Sequence, residues 1–258
     1  MNEHEMLKNR FRDRVFQKKT PETRGAIELA YADMSRRQNG HLPAMKEACI
    51  NWLVNNVFTG KIQFSDYDTW HETQCNELIK IWNDIKPNFG TVGKAQKVLN
   101  MAFKYLSCIT EDYNAILQYC HMTLDSYTLA WYKAVVRPWA QKNGRPDVES
   151  LVEWSKIKSY GDYKLIQKNI RDYLSTGAVY SIKINKKSTK VLSLPIVPID
   201  AEFVVWEGQI IEERYTNLIK ELDHYIHAHR GNPAGKDYDT WLLDDLFDDY
   251  IRDYCKTT

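Results

Sequence analysis

Long apolar runs are missing from this 258-residue chain: no stretch approaches the roughly eighteen consecutive apolar residues of a membrane span. The start, M-N-E-H-E-M-L-K-N-R, has no apolar core of the kind a secretory signal needs, so the expectation is a cytoplasmic protein with no membrane partner. Cysteine is scarce and unpatterned. Cys49, Cys75, Cys108, Cys120 and Cys255 are odd in number and form no C-x-x-C. That argues against a disulfide framework or a thiolate zinc site, and for reduced core thiols. An excess of one charge is absent too, with a net +1. Seven Asp against three basic residues from Pro233 onward make that end −4 and the remainder +5. A balance this mild does not demand nucleic acid, and any DNA site has to be local. Internal repeats and low-complexity tracts are likewise lacking.

What is present is mostly helical periodicity. Met6 to Lys19 reads as a basic amphipathic helix, and Glu22 to Gln38 as a second, stopped by Asn39-Gly40. Pro43 starts a third through Trp52 to Phe58, and Ser65 or Asp66 caps a fourth that Pro87 breaks. Val92 to Ile109 and Ser126 to Ala140 complete six helices before Gly144-Arg145-Pro146, the expected turn between two lobes. Beyond it, Val148 to Ile157 and Tyr160 to Leu174 are expected as helices. The period then changes to two, giving a β-hairpin over about residues 178–195 with a basic tip. Asp200 is expected to cap a short turn into Glu202 to Trp206, followed by helices around Ile210 to His229 and Tyr238 to Tyr254. The fold class expected is mainly α: a two-lobed helical bundle, lobes 1–144 and 145–258, with one small hairpin and an acidic terminal helix.

The stretch from Lys86 to Trp131 carries the chemistry. Val98, Leu99, Met101, Ala102, Phe103, Tyr105 and Leu106 cover most of the circumference of the Val92 to Ile109 helix, so it is a core helix. Its polar residues do not scatter: Lys94, Lys97, Asn100 and Lys104 recur at three- and four-residue steps, which lays three amines along one side. Burying amines is costly without a purpose. Either that side meets water or a polyanion, or one amine does chemistry. Asp125 follows Met122 and Leu124 and opens the next helix, where an N-capping carboxylate keeps its charge.

The segment G-T-V-G-K-A-Q-K-V-L-N-M-A-F-K-Y, then a loop, then Leu-Asp-Ser-Tyr at a helix start, resembles the helix-hairpin-helix DNA glycosylases, most of all the archaeal 8-oxoguanine DNA glycosylase branch. The likeness covers roughly 45 residues. It implies a helix-hairpin-helix core and excision of a damaged or modified base from duplex DNA with the nucleotide flipped out. It further implies Lys97 as nucleophile, Asp125 as the assisting carboxylate, and Gly90 and Gly93 as the glycines that let backbone approach a phosphate. Here the glycines are three apart rather than two, and Leu124 stands where a proline commonly precedes the aspartate, so Lys94 stays open as a second nucleophile. Lys94 and Lys104, with Lys186 and Lys187 at the hairpin tip, are the further DNA contacts expected. Neither cofactor nor metal is called for, and a monomer is the default. His224, His227 and His229 are read as residues of a helix C-terminus, where they meet the dipole, before a metal site. Two rivals remain: a non-enzymatic helical interaction or nucleic-acid-binding protein with Lys97 exposed and far from Asp125, and a metal-dependent hydrolase built on those histidines.

Overall fold

The computed structural model describes residues 3–16, 22–36, 42–60, 62–183, 189–210 and 217. Three helices come first: α1 (Glu3–Phe16), α2 (Thr23–Ser35) and α3 (Pro43–Trp52), the last extended by a π-helical turn over Leu53–Val57. Pro43 suits the first turn of α3, where its missing N–H has no intrahelical partner to lose. Next come α4 (Tyr67–Ile85), α5 (Val92–Leu106) and the single turn α6 (Asn114–Leu117). Asp66, rather than Ser65, caps α4 by accepting the Thr69 amide at 3.0 Å. The helix that Asp125 opens runs as α7 (Ser126–Trp131), a π-helical turn (Tyr132–Val136) and α8 (Arg137–Lys142). After a 3₁₀ turn at Trp154–Lys156 follow α9 (Tyr160–Leu174), β1 (Val179–Lys183), β2 (Thr189–Ser193) and a helix over 198–210, here α10.

The described chain is thus mainly helical with one antiparallel hairpin, in the register Val179↔Ser193 through Lys183↔Thr189. Within α5 every residue except Lys94 is buried. That helix packs against α2, α4, α9 and the Trp154 turn, because apolar residues cover nearly its whole surface and each face needs a neighbour. One connected apolar core runs from Leu7 to Val205 and draws on residues on both sides of Gly144. Truncating a central member such as Phe103, 0% exposed, to Ala costs about 3–5 kcal/mol. Among the described residues no helix is long and apolar enough to cross a membrane.

Two expectations are corrected. Val148 to Ile157 is not a helix beyond the 3₁₀ turn at its end. Its backbone bonds to α5 instead: the Thr91 hydroxyl donates to the Ser155 carbonyl at 2.9 Å and the Gly93 amide to the Ile157 carbonyl at 3.0 Å. Asp200 does not start its helix, which begins at Pro198 with the Val197 carbonyl accepting the Asp200 and Ala201 amides. Asn39-Gly40, the hairpin tip with Lys186 and Lys187, the histidines near 224–229 and the acidic terminal helix lie outside the described residues.

Candidate functional site

The site grows from the first turns of α5. Thr91 caps that helix, taking the Lys94 amide at 3.2 Å, while its hydroxyl proton holds the Trp154 turn through Ser155. Gly93 completes the join, since a Cβ there would collide with the Trp154 carbonyl oxygen. So close a crossing lays the Trp154 ring over the Lys97 amine, 4.3 Å from its centroid. Gly90 is half-buried and crowded on one side: its amide donates to Asn83 Oδ1 at 2.8 Å and a Cβ would sit 2.9 Å from the Ile79 carbonyl oxygen. The close approach these glycines permit is therefore made by the protein's own backbone. Their amides are taken internally, which corrects the expectation that Gly90 and Gly93 meet a DNA phosphate.

The three amines of α5 meet three different environments. Lys94 is half-buried and local, donating to the Phe89 carbonyl at 2.8 Å with its amine over the Phe89 ring. Lys104 is wholly buried and ion-paired with Glu202 at 2.8 Å, inside a cage formed by Phe11, Phe203 and Trp206. A pair this enclosed cannot reach a phosphate, so Lys104 is removed from the expected DNA contacts. Lys97 is different again. Its side chain is largely buried (9% exposed), yet among the described residues its amine has no hydrogen-bond or ion-pair partner beyond the Trp154 face. Burial pushes its pKa down, with a smaller push from Arg36, while the carboxylates of Asp125, Asp33 and Glu202 pull the other way. The Lys104 charge, about two turns further along α5, is countered by Glu202.

Asp125, 6% exposed, is linked to Lys97 by the pull of its charge on that amine. Its Oδ1 accepts the Tyr127 and Thr128 amides at 2.9 and 3.0 Å, and the Thr128 hydroxyl takes the Asp125 amide at 2.9 Å, a reciprocal cap. Among the described residues the extended segment before it pairs with no strand, and side chains from distant elements satisfy its backbone. Gln167 of α9 takes the Met122 amide and donates to its carbonyl; Glu202 takes the Thr123 amide at 2.7 Å; Gln96 does for Leu124 what Gln167 does for Met122. Glu202 therefore links Lys104 to the segment that carries Asp125, and burial raises its carboxyl against the pull of Lys104. Lys97 and Asp125 emerge one residue beyond Gln96 and Leu124, which bond to each other.

Behind this pair lies a buried polar cluster to which the sequence pattern assigns no role. His71 and His121, ring centroids 4.7 Å apart, are both enclosed, among Tyr67, Tyr160 and Tyr163. Burial holds His71 well below the usual histidine range and pushes His121 down to about 4. Among the described residues no group of three or more His, Cys, Asp or Glu is arranged to hold a metal. The sequence signals for the unassigned residues are faint: Gln96 and Asn100 are polar at a four-residue step inside an apolar helix, whereas Trp154 and Glu202 stand out only once the fold is known. Comparison with models of protein families, with curated proteins and with solved structures finds no match.

Proposed function

We propose that this chain is a DNA glycosylase with abasic-site lyase chemistry, excising a damaged or modified base such as 8-oxoguanine through Lys97. The observation that carries the reading is the Lys97 amine, on a largely buried side chain and unpaired among the described residues, with its pKa lowered by burial and pulled back by the charge of the capped Asp125. Most buried ammonium groups are ion-paired, as Lys104 is; an amine left without a partner is available as a nucleophile. Chemistry on a base requires the nucleotide out of the stack, so the substrate is duplex DNA with one base flipped.

The neutral Lys97 Nζ forms a bond to C1′ of the deoxyribose as the bond from C1′ to the base breaks. The base leaves with the electron pair and takes up a proton shed by the attacking amine. Positive charge grows on the sugar as this bond breaks, and the Asp125 carboxylate, fixed by two backbone amides, is preorganised to stabilise it. Ring opening of the sugar, with O4′ taking up a proton from the amine, then gives an imine to Lys97; loss of a C2′ proton to water forms a C2′–C3′ double bond as the C3′–O bond breaks and the 3′ phosphate leaves. None of this needs a cofactor. The rival interaction protein expects an exposed Lys97 away from Asp125, and the burial of Lys97 favours the enzyme.

The test is excision from duplexes carrying single altered bases, 8-oxoguanine first. Wild type should release at least one base, Lys97→Gln should release none, and Asp125→Asn should bind DNA as wild type while losing on the order of a hundredfold or more in rate. Release of no base from any duplex would return the reading to the interaction protein.

A further inference from the structure

The polar cluster is wired to the proposed site, and its protons can be placed because one end rests on backbone groups. The Leu124 amide donates at 3.1 Å to a Gln96 side-chain atom, which must be Oε1; Gln96 Nε2 then donates to the Leu124 and Gly93 carbonyls, each at 2.8 Å. Asn100 consequently turns Nδ2 toward Gln96 Oε1 at 3.1 Å and gives its other hydrogen to the Tyr163 hydroxyl at 3.0 Å. Asn100 Oδ1 faces His71 at 2.9 Å, so that ring carries a proton on Nε2; its bare Nδ1 faces the Tyr160 hydroxyl at 2.9 Å and the Cys75 thiol at 3.6 Å, with the single Tyr160 hydrogen shared with the Asp68 carbonyl at 2.9 Å. Tyr163, having accepted from Asn100, donates to His121 Nδ1 at 2.8 Å. His121 therefore carries its proton on Nε2 and donates to Asp68 Oδ1 at 2.8 Å. Asp68 is the outer end, faced by Arg171 and Lys164.

Every amide and ring in this chain is consequently held to one orientation, and what it orients is Gln96. We propose that Gln96 is the positioning residue that sets Asp125 against Lys97, and that Asn100, Tyr163, His71 and His121 serve to lock its amide. The proposal rests on the reading of Lys97 and Asp125 as the reacting pair. Gln96 and Leu124 exchange donor and acceptor as two paired strand residues do, and they immediately precede Lys97 and Asp125 in the chain. A peptide-like clamp one residue behind each reacting group controls their separation more tightly than packing alone.

The experiment measures the pKa of Lys97 in the full-length protein by pH-dependent labelling with a small acylating reagent, read peptide by peptide by mass spectrometry. Asp125→Asn removes a carboxylate that raises Lys97, so its midpoint should fall, by on the order of one pH unit. Gln96→Met, close in size and uncharged, should lower it by a similar amount because Asp125 is released. The double variant should fall no further than either single one, with the other lysines unchanged. Asn100→Ala keeps every Leu124 bond and removes the lock, and should move Lys97 in the same direction by less; it decides the matter if Gln96→Met does not fold. A Lys97 midpoint equal to wild type in the Gln96 and Asn100 variants, or shifts that add in the double variant, would overturn the proposal. Failure of wild type to excise any base would instead count against the glycosylase reading alone, since these midpoints are read without DNA.

Discussion

Acid should unfold this protein through its two buried histidines, in a window set by their surroundings. In the unfolded chain each takes up a proton near pH 6.5, whereas in the fold His121 does so only at about 4 and His71 is held well below its usual range. A histidine lowered in this way leaves the fold undisturbed above the unfolded pKa. As pH falls from about 6.5 toward about 4 the unfolded state binds a proton the folded state refuses, and stability drops. For His121 the loss accumulates to about 3 kcal/mol, at about 1.4 kcal/mol per pH unit, and His71 adds to it in the same direction. Asp68 contributes in a different window: its carboxyl is held low, chiefly by the hydrogen bond from His121, so its stabilisation is lost only below about pH 4. Against a usual total of about 5–15 kcal/mol this is a large fraction. Urea unfolding at constant ionic strength, stepped from neutral pH to the acid end of the window, measures it directly. A stability that stays flat across the window, or two histidine resonances titrating near their unperturbed value, would refute the burial and tautomer assignment together.

Gly93→Ala should destabilise the fold by about 1–3 kcal/mol in urea, because the added methyl forces the Trp154 backbone off α5. It should also withdraw the Trp154 ring from Lys97, which fluorescence on changing pH through the lysine range would register as a lost response. Glu202→Leu should cost about 3–5 kcal/mol by leaving the Lys104 ammonium buried without its partner. Adding Lys104→Met should recover most of that loss but not the roughly 1 kcal/mol for the unpaired Thr123 amide, and a double-mutant cycle in urea separates the two.

How much of this was legible in the sequence depended on distance along the chain. Caps are local, so the Asp125 helix start, the Tyr160 to Leu174 helix and the hairpin alternation were readable from a few neighbouring residues. The all-round apolar pattern of α5 likewise announced a buried helix. What misled was longer range. Val148 to Ile157 has helical periodicity, but Gly93 and Thr91, about sixty positions earlier, take its carbonyls. Lys104 looked like a partner of Lys94 and Lys97 because helical spacing gives direction and not environment; its counter-ion Glu202 lies 98 residues away in sequence. Gln96 was hidden for a related reason, since a lone glutamine in a core helix gains meaning only when Leu124 is seen against it.

The central claim is that Lys97, and not Lys94, is the amine that attacks the sugar. Borohydride reduction during reaction with a duplex carrying an altered base converts the imine to a stable adduct, and peptide mapping of that adduct by mass spectrometry identifies the lysine. The account predicts the modified deoxyribose on Lys97, with trapping lost in Lys97→Gln and kept in Lys94→Gln. An adduct on Lys94, or trapping that survives Lys97→Gln unchanged, would contradict it.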